Sequence, residues 1–345
     1  MRQHDTFEAE LIDALQPVRA FALATAIWHL FETGLFEALE PGGRPLRELA
    51  GEKDLDEERL EAFLKYLRNE GLVSEREGGY GLTGKGKALA PFRGWYTMMV
   101  GGYGPTFREL GEKLRRGSPP AGRDRARVGI GSCGISEYDA IPLTRELMKA
   151  SGKPCRRLLD LGCGNALYLV EFCKALPELE AWGVEPALDT CRAATELVRR
   201  NGLEDRIHIV HAGALEFLRT ADRTIQPDFT VLGFVLHEIL GQSGEAGVKE
   251  FLEGLTERYP DLDIIVIEVD NQLDAPEKMR HGLSLAYYNS YFLFHPFTSQ
   301  RLETREYWER LFERCGLEIA ARRVVDPRVD STGLELGYLL RRKKR

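Results

Sequence analysis

Four side chains and one glycine turn hold most of the chemical possibilities of this chain. His237 and Glu238 sit in FVLHEIL, Asp270 in IEVDNQ and His295 in YFLFHPFTSQ. A histidine beside a ligand pocket can be a general base near neutral pH or ligate a metal through one ring nitrogen. It can equally be buried and satisfied by backbone. Two histidines and one carboxylate leave three positions open on an octahedral ion, as in facial-triad sites, but the spacing alone leaves all three readings standing. The turn is Asp160-Leu161-Gly162-Cys163-Gly164, with an acid ahead of the first glycine. Bare backbone at such a turn lets a ligand approach closely, and the missing third glycine separates it from the dinucleotide fingerprint. Glu185 ends the next apolar run, where a carboxylate can accept both hydroxyls of a ribose.

The elements around these residues follow from periodicity. From residue 156 the sequence alternates short β-branched runs with helical ones: RRLLDLG, AWGVEP, RIHIVHAG, PDFTVLGFVL and DIIVIEVDN, with helices at 187–200, 245–259 and 304–314. Continuous apolar strands separated by helices predict a parallel sheet covered on both faces. CGLEIAARRVV and LELGYLLRR read as a closing strand pair, after a helical, aromatic-rich stretch at 277–294. Ahead of the sheet, residues 7–36 read as helical and divided by Pro17. A helix at 56–70 and a hairpin turning at Gly78-Gly79 complete a winged-helix pattern. Residues 95–150, rich in glycine, read as a less regular bridge or lid.

Composition narrows the class. The chain has 345 residues, 47 Lys+Arg against 54 Asp+Glu, a net charge of −7, 43% hydrophobic and 29% charged residues. Those values describe an ordinary globular protein of about two domains. An acidic chain is a poor default partner for nucleic acid, and the 56–70 helix carries Asp56, Glu57, Glu58, Glu61 and Glu70 against Arg59, Lys65 and Arg68. No nucleic-acid partner is expected. The start, MRQHDTFEAE, lacks the apolar core of a signal peptide, so no membrane partner is expected either. Six scattered cysteines suit a reducing, cytoplasmic setting.

The D-x-G-x-G turn followed by Glu185 resembles the class I S-adenosylmethionine-dependent methyltransferases over about 155–341. With the winged-helix front, nearly the whole chain resembles their small-molecule O-methyltransferase group. The resemblance implies an α/β fold, a doubly wound, mostly parallel seven-stranded Rossmann-like sheet, behind an N-terminal all-α/winged-helix domain. It implies three parts: a dimerisation domain at 1–95, a bridging lid at 96–150 and a methyltransferase domain at 151–345, assembled as a homodimer. S-adenosylmethionine would lie against Asp160, Gly162, Gly164 and Glu185, with Gly213, Ala214, Gly233 and Phe234 completing the crevice. Many members place an acid after the third strand to bind the adenine amine; Ala212, Gly213 and Ala214 stand there instead.

LHEILG, IEVDN and YYNSYFLFHPFTSQRL, with VGIGSCGIS upstream, resemble a narrower branch: the metal-dependent α-keto acid C-methyltransferases of nonribosomal-peptide precursor pathways. The branch includes the 2-ketoarginine and phenylpyruvate enzymes. That resemblance implies one iron, zinc or other divalent ion on His237 and His295, with Asp270 preferred over Glu238 and Glu268 as third ligand. It implies methyl transfer to C3 of a 2-oxo acid through a metal-bound enolate. Of Arg123, Arg125 and Arg127, all ahead of the glycine-rich VGIGSCG bridge, Arg127 is nearest to it and is the expected partner of the substrate carboxylate, with Tyr287 and Tyr291 the expected pocket wall. A guanidinium-bearing substrate would need a carboxylate, with Glu137, Asp139 and Glu268 as candidates. The alternative is a metal-free O-methyltransferase with a histidine base, for which His281 is nearest in position.

Overall fold

The computed structural model describes residues 2–76, 79–222 and 224–343. The chain divides into two compact units, Met1–Gly101 and Gly102–Arg345.

In the first unit, Pro17 divides the opening helical run as expected: one helix ends at Ala14 and the next spans Gln16–Glu32. Leu35–Leu39, Leu46–Lys53 and Glu57–Asn69 follow, the last capped by Asp56, which accepts from the Arg59 amide at 2.9 Å. Three short strands, β1 (Arg44–Pro45), β2 (Val73–Arg76) and β3 (Gly79–Leu82), form an antiparallel sheet in the order β1-β3-β2. Gly78 of the expected hairpin turn lies outside the described residues. Leu30, Leu39, Leu49, Leu64 and Leu67 make the core. Within the apolar run from Phe21 to Phe36, Ala26, Ile27, Leu30, Phe31 and Phe36 are buried in this core. The exposed apolar face lies earlier: Phe7, Val18 and Phe21 are 62%, 62% and 70% exposed. The segment Phe7–Glu32 is also long and apolar enough, by length and composition, to cross a membrane.

The second unit is built on seven strands: β4 (Arg157–Leu161), β5 (Glu180–Glu185), β6 (Ile207–His211), β7 (Phe229–Gly233), β8 (Asp263–Val269), β9 (Leu317–Val324) and β10 (Glu335–Arg342). Their order is β6-β5-β4-β7-β8-β10-β9, with β10 alone running opposite to the other six. The chain reverses its direction of growth at β4, so a crevice opens at the carboxyl ends of β4 and β7, where open α/β sheets take ligands. β8 is buried along its whole length. Alternation turns Ile265 and Ile267 toward a core with Leu158, Phe172 and Phe229, and Ile264 and Val266 toward one with Phe251, Trp308 and Tyr338.

The segment expected to be irregular is largely helical. Gly104–Lys113, Arg125–Ser136 and Ala140–Ser151 are helices, and most of the segment belongs to the second unit. The glycines of VGIGSCG, read as part of an irregular bridge, lie inside the Arg125–Ser136 helix instead. A glycine of the turn makes the room for that helix: a Cβ on Gly164 would stand 3.0 Å from its Cys133 Sγ.

At the opposite edge, the fully buried carboxylate of Asp263 binds Arg341 (Nη2–Oδ2 2.7 Å), Lys153 (2.5 Å) and the Ser151 hydroxyl (2.6 Å). It ties the first residue of β8 to the reversed strand. Burial pushes its pKa up, but the two cations and the hydroxyl outweigh that and hold it below the ordinary range. A depressed folded-state pKa adds stability above the ordinary aspartate value and loses it as pH falls through the folded value. Asp263→Asn should therefore lower the unfolding free energy by about 1–3 kcal/mol at neutral pH, discounted for the partly exposed cations. The gap from wild type should close below pH 3.8. Urea unfolding followed across pH is the measurement.

Candidate active site

Asp160, the fourth residue of β4, is buried, and the chain turns immediately after it with Gly162 at φ +94° and Gly164 at φ +55°. Those values alone favour glycine, and space enforces it. A Cβ on Gly162 would stand 2.7 Å from Val235 Cγ2, and one on Gly164 would stand 3.0 Å from Cys133 Sγ. The Gly162 and Cys163 amides donate to the Val184 carbonyl, locking the turn onto β5. Glu185 ends β5. Its Oε2 accepts from the Gly164 amide at 3.2 Å and its Oε1 from the Ala187 amide at 2.9 Å. Burial, then the charge of Glu185, pushes Asp160 up to about 7, and burial also raises Glu185. Two buried acids across a bare backbone turn suit a ligand that carries hydroxyls and positive charge.

The other residues expected at the crevice flank this turn. Gly213 caps the helix Ala214–Thr220. Gly233 ends β7, and Phe234 beyond it sits at φ +58°, its amide donating to the Ile267 carbonyl. Ala166, at φ +64°, opens the helix Leu167–Ala175. It is a second non-glycine residue in this strained region, and nothing in its residue type signals it.

The two histidines meet beyond the carboxyl ends of β7 and β8. His237 lies in the first turn of the helix Leu236–Arg258, and Glu268 next to the end of β8 grips it twice. Its Oε1 accepts from the His237 amide (3.1 Å) and its Oε2 pairs with Nδ1 (2.9 Å). His295 follows the helix Asn289–Phe294, and its Nδ1 pairs with the Tyr291 carbonyl one turn back at 2.5 Å. The two rings are buried with centroids 5.2 Å apart. Each Nδ1 therefore faces an acceptor, which turns each Nε2 lone pair toward the cluster. His237 Nε2 lies 3.3 Å from Gln300 Nε2, and His295 Nε2 is buried with no hydrogen-bond partner.

Charge around the pair is divided. Burial works against charging His237, but Glu268 outweighs it and raises the pKa. Burial and the facing His237 push His295 well below its ordinary value. Glu238 accepts a two-pronged bond from Arg123 (2.7 Å each) and one from Gln300 (2.8 Å). Tyr103 donates to Gln300 at 3.2 Å and stacks on Phe294 at 3.7 Å. Gln300 and Tyr103 are cluster members that the sequence did not single out; glutamine and tyrosine types are too unspecific to announce such a role. Arg127, the arginine preferred from sequence, pairs with Asp124 at the helix start, and Arg123 is the one that reaches the cluster.

The donor set fits a divalent cation in part. Two imidazoles with Nδ1 held by a carboxylate and a carbonyl are the usual outer support of metal-bound histidine. Asp270, expected as third ligand, accepts from the Arg305 amide (2.8 Å) and Gln272 (3.0 Å) at the start of the helix Arg305–Arg314. Among the described residues no hydrogen bond or ring contact joins it to either imidazole, and no group of three His, Cys, Asp or Glu is assembled to hold a metal. Tyr291 lies against His295 (ring centroids 4.0 Å) and Tyr287 against Tyr291 (5.6 Å), so the expected pocket wall does adjoin the histidines. His281 is engaged with the Leu283 amide and Ser331.

Comparison with known proteins places this geometry. No family model matches the chain. It is 43% identical over 342 residues to 2-ketoarginine methyltransferase of Streptomyces arginensis, across 98% of each chain. It is 28% identical over 206 residues to 3-hydroxy-5-methyl-1-naphthoate 3-O-methyltransferase of Streptomyces sahachiroi, spanning 54% of this chain and 59% of that one. In fold it is similar to human N-acetylserotonin methyltransferase in complex with SAM, with a TM-score of 0.68, 16% identity and 98% of each chain covered.

Glu185→Ala removes the carboxylate at the end of β5 while leaving the turn's glycines in place. S-adenosylmethionine affinity should fall by about 2–3 kcal/mol, the worth of two charge-assisted hydrogen bonds. Calorimetric titration measures it, and an unchanged affinity would take Glu185 out of the cofactor site.

Proposed function

Because this chain belongs to the class I S-adenosylmethionine-dependent methyltransferases, in the branch of 2-ketoarginine methyltransferase, we propose that it methylates C3 of a 2-oxo acid with the help of one divalent cation. The observation that carries the reading is the buried imidazole pair, with both Nδ1 atoms engaged and His295 Nε2 left without a partner. A purely structural buried histidine is normally satisfied at both nitrogens. His237 and His295 would hold the cation through Nε2. Of the carboxylates considered, Glu268 is engaged by His237, Asp270 by the Arg305 amide and Glu238 by Arg123 and Gln300, so the two histidines are the protein ligands on which the reading rests. When bound, the cation supplies Lewis acidity toward a keto oxygen, which makes the neighbouring C3 proton acidic.

The chain's own residues do the remainder. Glu268 fixes the tautomer and orientation of His237, and the Tyr291 carbonyl does the same for His295. Arg123, Gln300 and Tyr103 hold Glu238 in place and supply positive charge beside the cluster, where a carboxylate end of a substrate would be welcome. Gly162, Gly164 and Glu185 seat S-adenosylmethionine at the neighbouring strand ends. C3 loses a proton, its electron pair forms the new bond to the methyl carbon, and the sulfur–methyl bond breaks to release S-adenosylhomocysteine.

We further propose a homodimer joined through the first unit. Its support is the apolar face of Phe7, Val18 and Phe21, too large for a solvated surface. Light scattering should give twice the chain mass, and Phe21→Asp should shift it toward the monomer. A protein that stays in solution only with detergent would instead assign Phe7–Glu32 to a membrane.

For the chemistry, elemental analysis should find about one divalent ion per chain. His295→Ala should abolish turnover of 2-oxo acids while S-adenosylmethionine still binds. Full activity in a metal-free, chelator-treated protein would overturn the reading. Methylation of a hydroxyl substrate under those conditions would establish oxygen transfer instead, in line with the naphthoate O-methyltransferase similarity.

A further inference from the structure

The stretch between His295 and the helix Arg305–Arg314 ties the two histidines to each other through backbone. At its near end the Thr298 and Gln300 amides donate to the His295 carbonyl at 3.1 and 3.3 Å. At its far end the Arg301 amide donates to the His237 carbonyl at 3.0 Å. Residues 298–301 therefore form a strap from one histidine to the other. The Gln300 side chain hangs from it. Its Nε2 donates to Glu238 at 2.8 Å and lies 3.3 Å from His237 Nε2, while its Oε1 accepts from Thr298 at 2.6 Å and from Tyr103 at 3.2 Å.

Two local features let the strap lie where it does. Ser299 sits at φ +59°, a left-handed conformation that residues with a side chain rarely adopt. Its carbonyl and the Gln300 Cα press on Gly241: a Cβ there would stand 2.2 Å from Ser299 O, 2.6 Å from Ser299 C and 2.7 Å from Gln300 Cα. All three are backbone atoms, so no change of rotamer relieves the collision. Gly241 lies one turn beyond His237 on the same face of the helix Leu236–Arg258. That helix is broken at Gly244 (φ 67°, ψ −173°), so His237, Glu238 and Gly241 ride on a short opening segment. Its seat is set by Glu268 at the His237 amide and by the strap at the His237 carbonyl. A cavity of about 450 Å³, lined in part by Leu240, Gly241, Gly244, Ser299 and Gln300, borders the strap and gives it space to be displaced.

We propose that Gly241 and Ser299 are positioning residues that set the separation of the two imidazoles, and with it their grip on a divalent cation. This role rests on the cation reading above and adds the backbone contact that makes the pair. With only hydrogen at position 241 the strap closes on the first turns of the helix, and the ring centroids come to 5.2 Å. A methyl group there pushes Ser299 and Gln300 away from the helix. Because the strap's amides end on both histidine carbonyls, the spacing of His237 and His295 changes with it. Both residues act through backbone, and neither is a ligand in this arrangement.

The test titrates the chelator-treated full-length protein with Co2+, followed by calorimetry and by visible absorption. Gly241→Ala should lower the affinity at least ~10-fold, the scale of disturbing the outer support of a metal-bound histidine, and should alter the Co2+ band. S-adenosylmethionine should bind this variant as it binds wild type, which reports that it has folded. Ser299→Gly, which suits the left-handed backbone, should keep wild-type Co2+ affinity. Ser299→Val, β-branched where φ is positive, should lose it as Gly241→Ala does. Gly254→Ala, in the same helix but with open space around the glycine, should leave it unchanged. Wild-type Co2+ affinity in folded Gly241→Ala would overturn the positioning role while leaving the cation reading intact. Equal affinity in the two Ser299 variants would do the same, and decides the matter should Gly241→Ala fail to fold. A wild type that takes up no Co2+ overturns the cation reading itself, and the positioning role with it.

Discussion

The grip of Glu268 on His237 is the contact around which this site is organised. Glu268 lies near the end of the most apolar strand in the chain, with no exposed surface, and such a carboxylate is tolerable only if hydrogen-bonded. It is satisfied by one residue, through both the amide and the ring nitrogen of His237. The helix Leu236–Arg258 must therefore begin at the end of β8, and the His237 ring has one orientation. From that fixed ring the rest follows outward: Gln300 lies against its Nε2, Glu238 is held by Gln300 and Arg123, and His295 closes the cluster at ring-contact distance.

Tight packing around the cofactor turn serves the same end. Glycines at 162 and 164 let the turn approach Val235 and Cys133 where a Cβ would collide or crowd. The helix Arg125–Ser136 then lies on the turn, and Arg123, two residues before that helix begins, reaches the histidine cluster. The segment that binds Glu238 is thus anchored by its contact with the crevice.

Electrostatically, the two faces of the sheet edge differ. On one, Glu268 and Glu238 are matched by His237, Arg123 and Gln300. On the other lie Asp139, which caps the helix Ala140–Ser151, Glu335, and Asp330, which accepts from Tyr288 and Thr332. Alternation along β8 and β10 is what separates them, since neighbouring residues of a strand point to opposite faces.

Much of this was legible in the residues. Apolar runs marked the five parallel strands and the closing pair, and the resemblance to the class I methyltransferases implied the seven-stranded sheet. D-x-G-x-G with Glu185 gave the crevice, because such turns depend on local chain geometry. Pro17 divided its helix for the same local reason. The region at 95–150 was misread because glycine marks both loops and close helix contacts, and only the partner surface decides between them. The surroundings of the three acids were likewise beyond reach: Glu238, Glu268 and Asp270 are equivalent as letters, and they separate only when one meets His237 Nδ1, one meets the Arg305 amide and one meets Arg123. Local sequence determined which strands, turns and histidines exist. Long-range packing decided what each acid faces, because a side chain's partner depends on strand register and helix placement that distant residues fix.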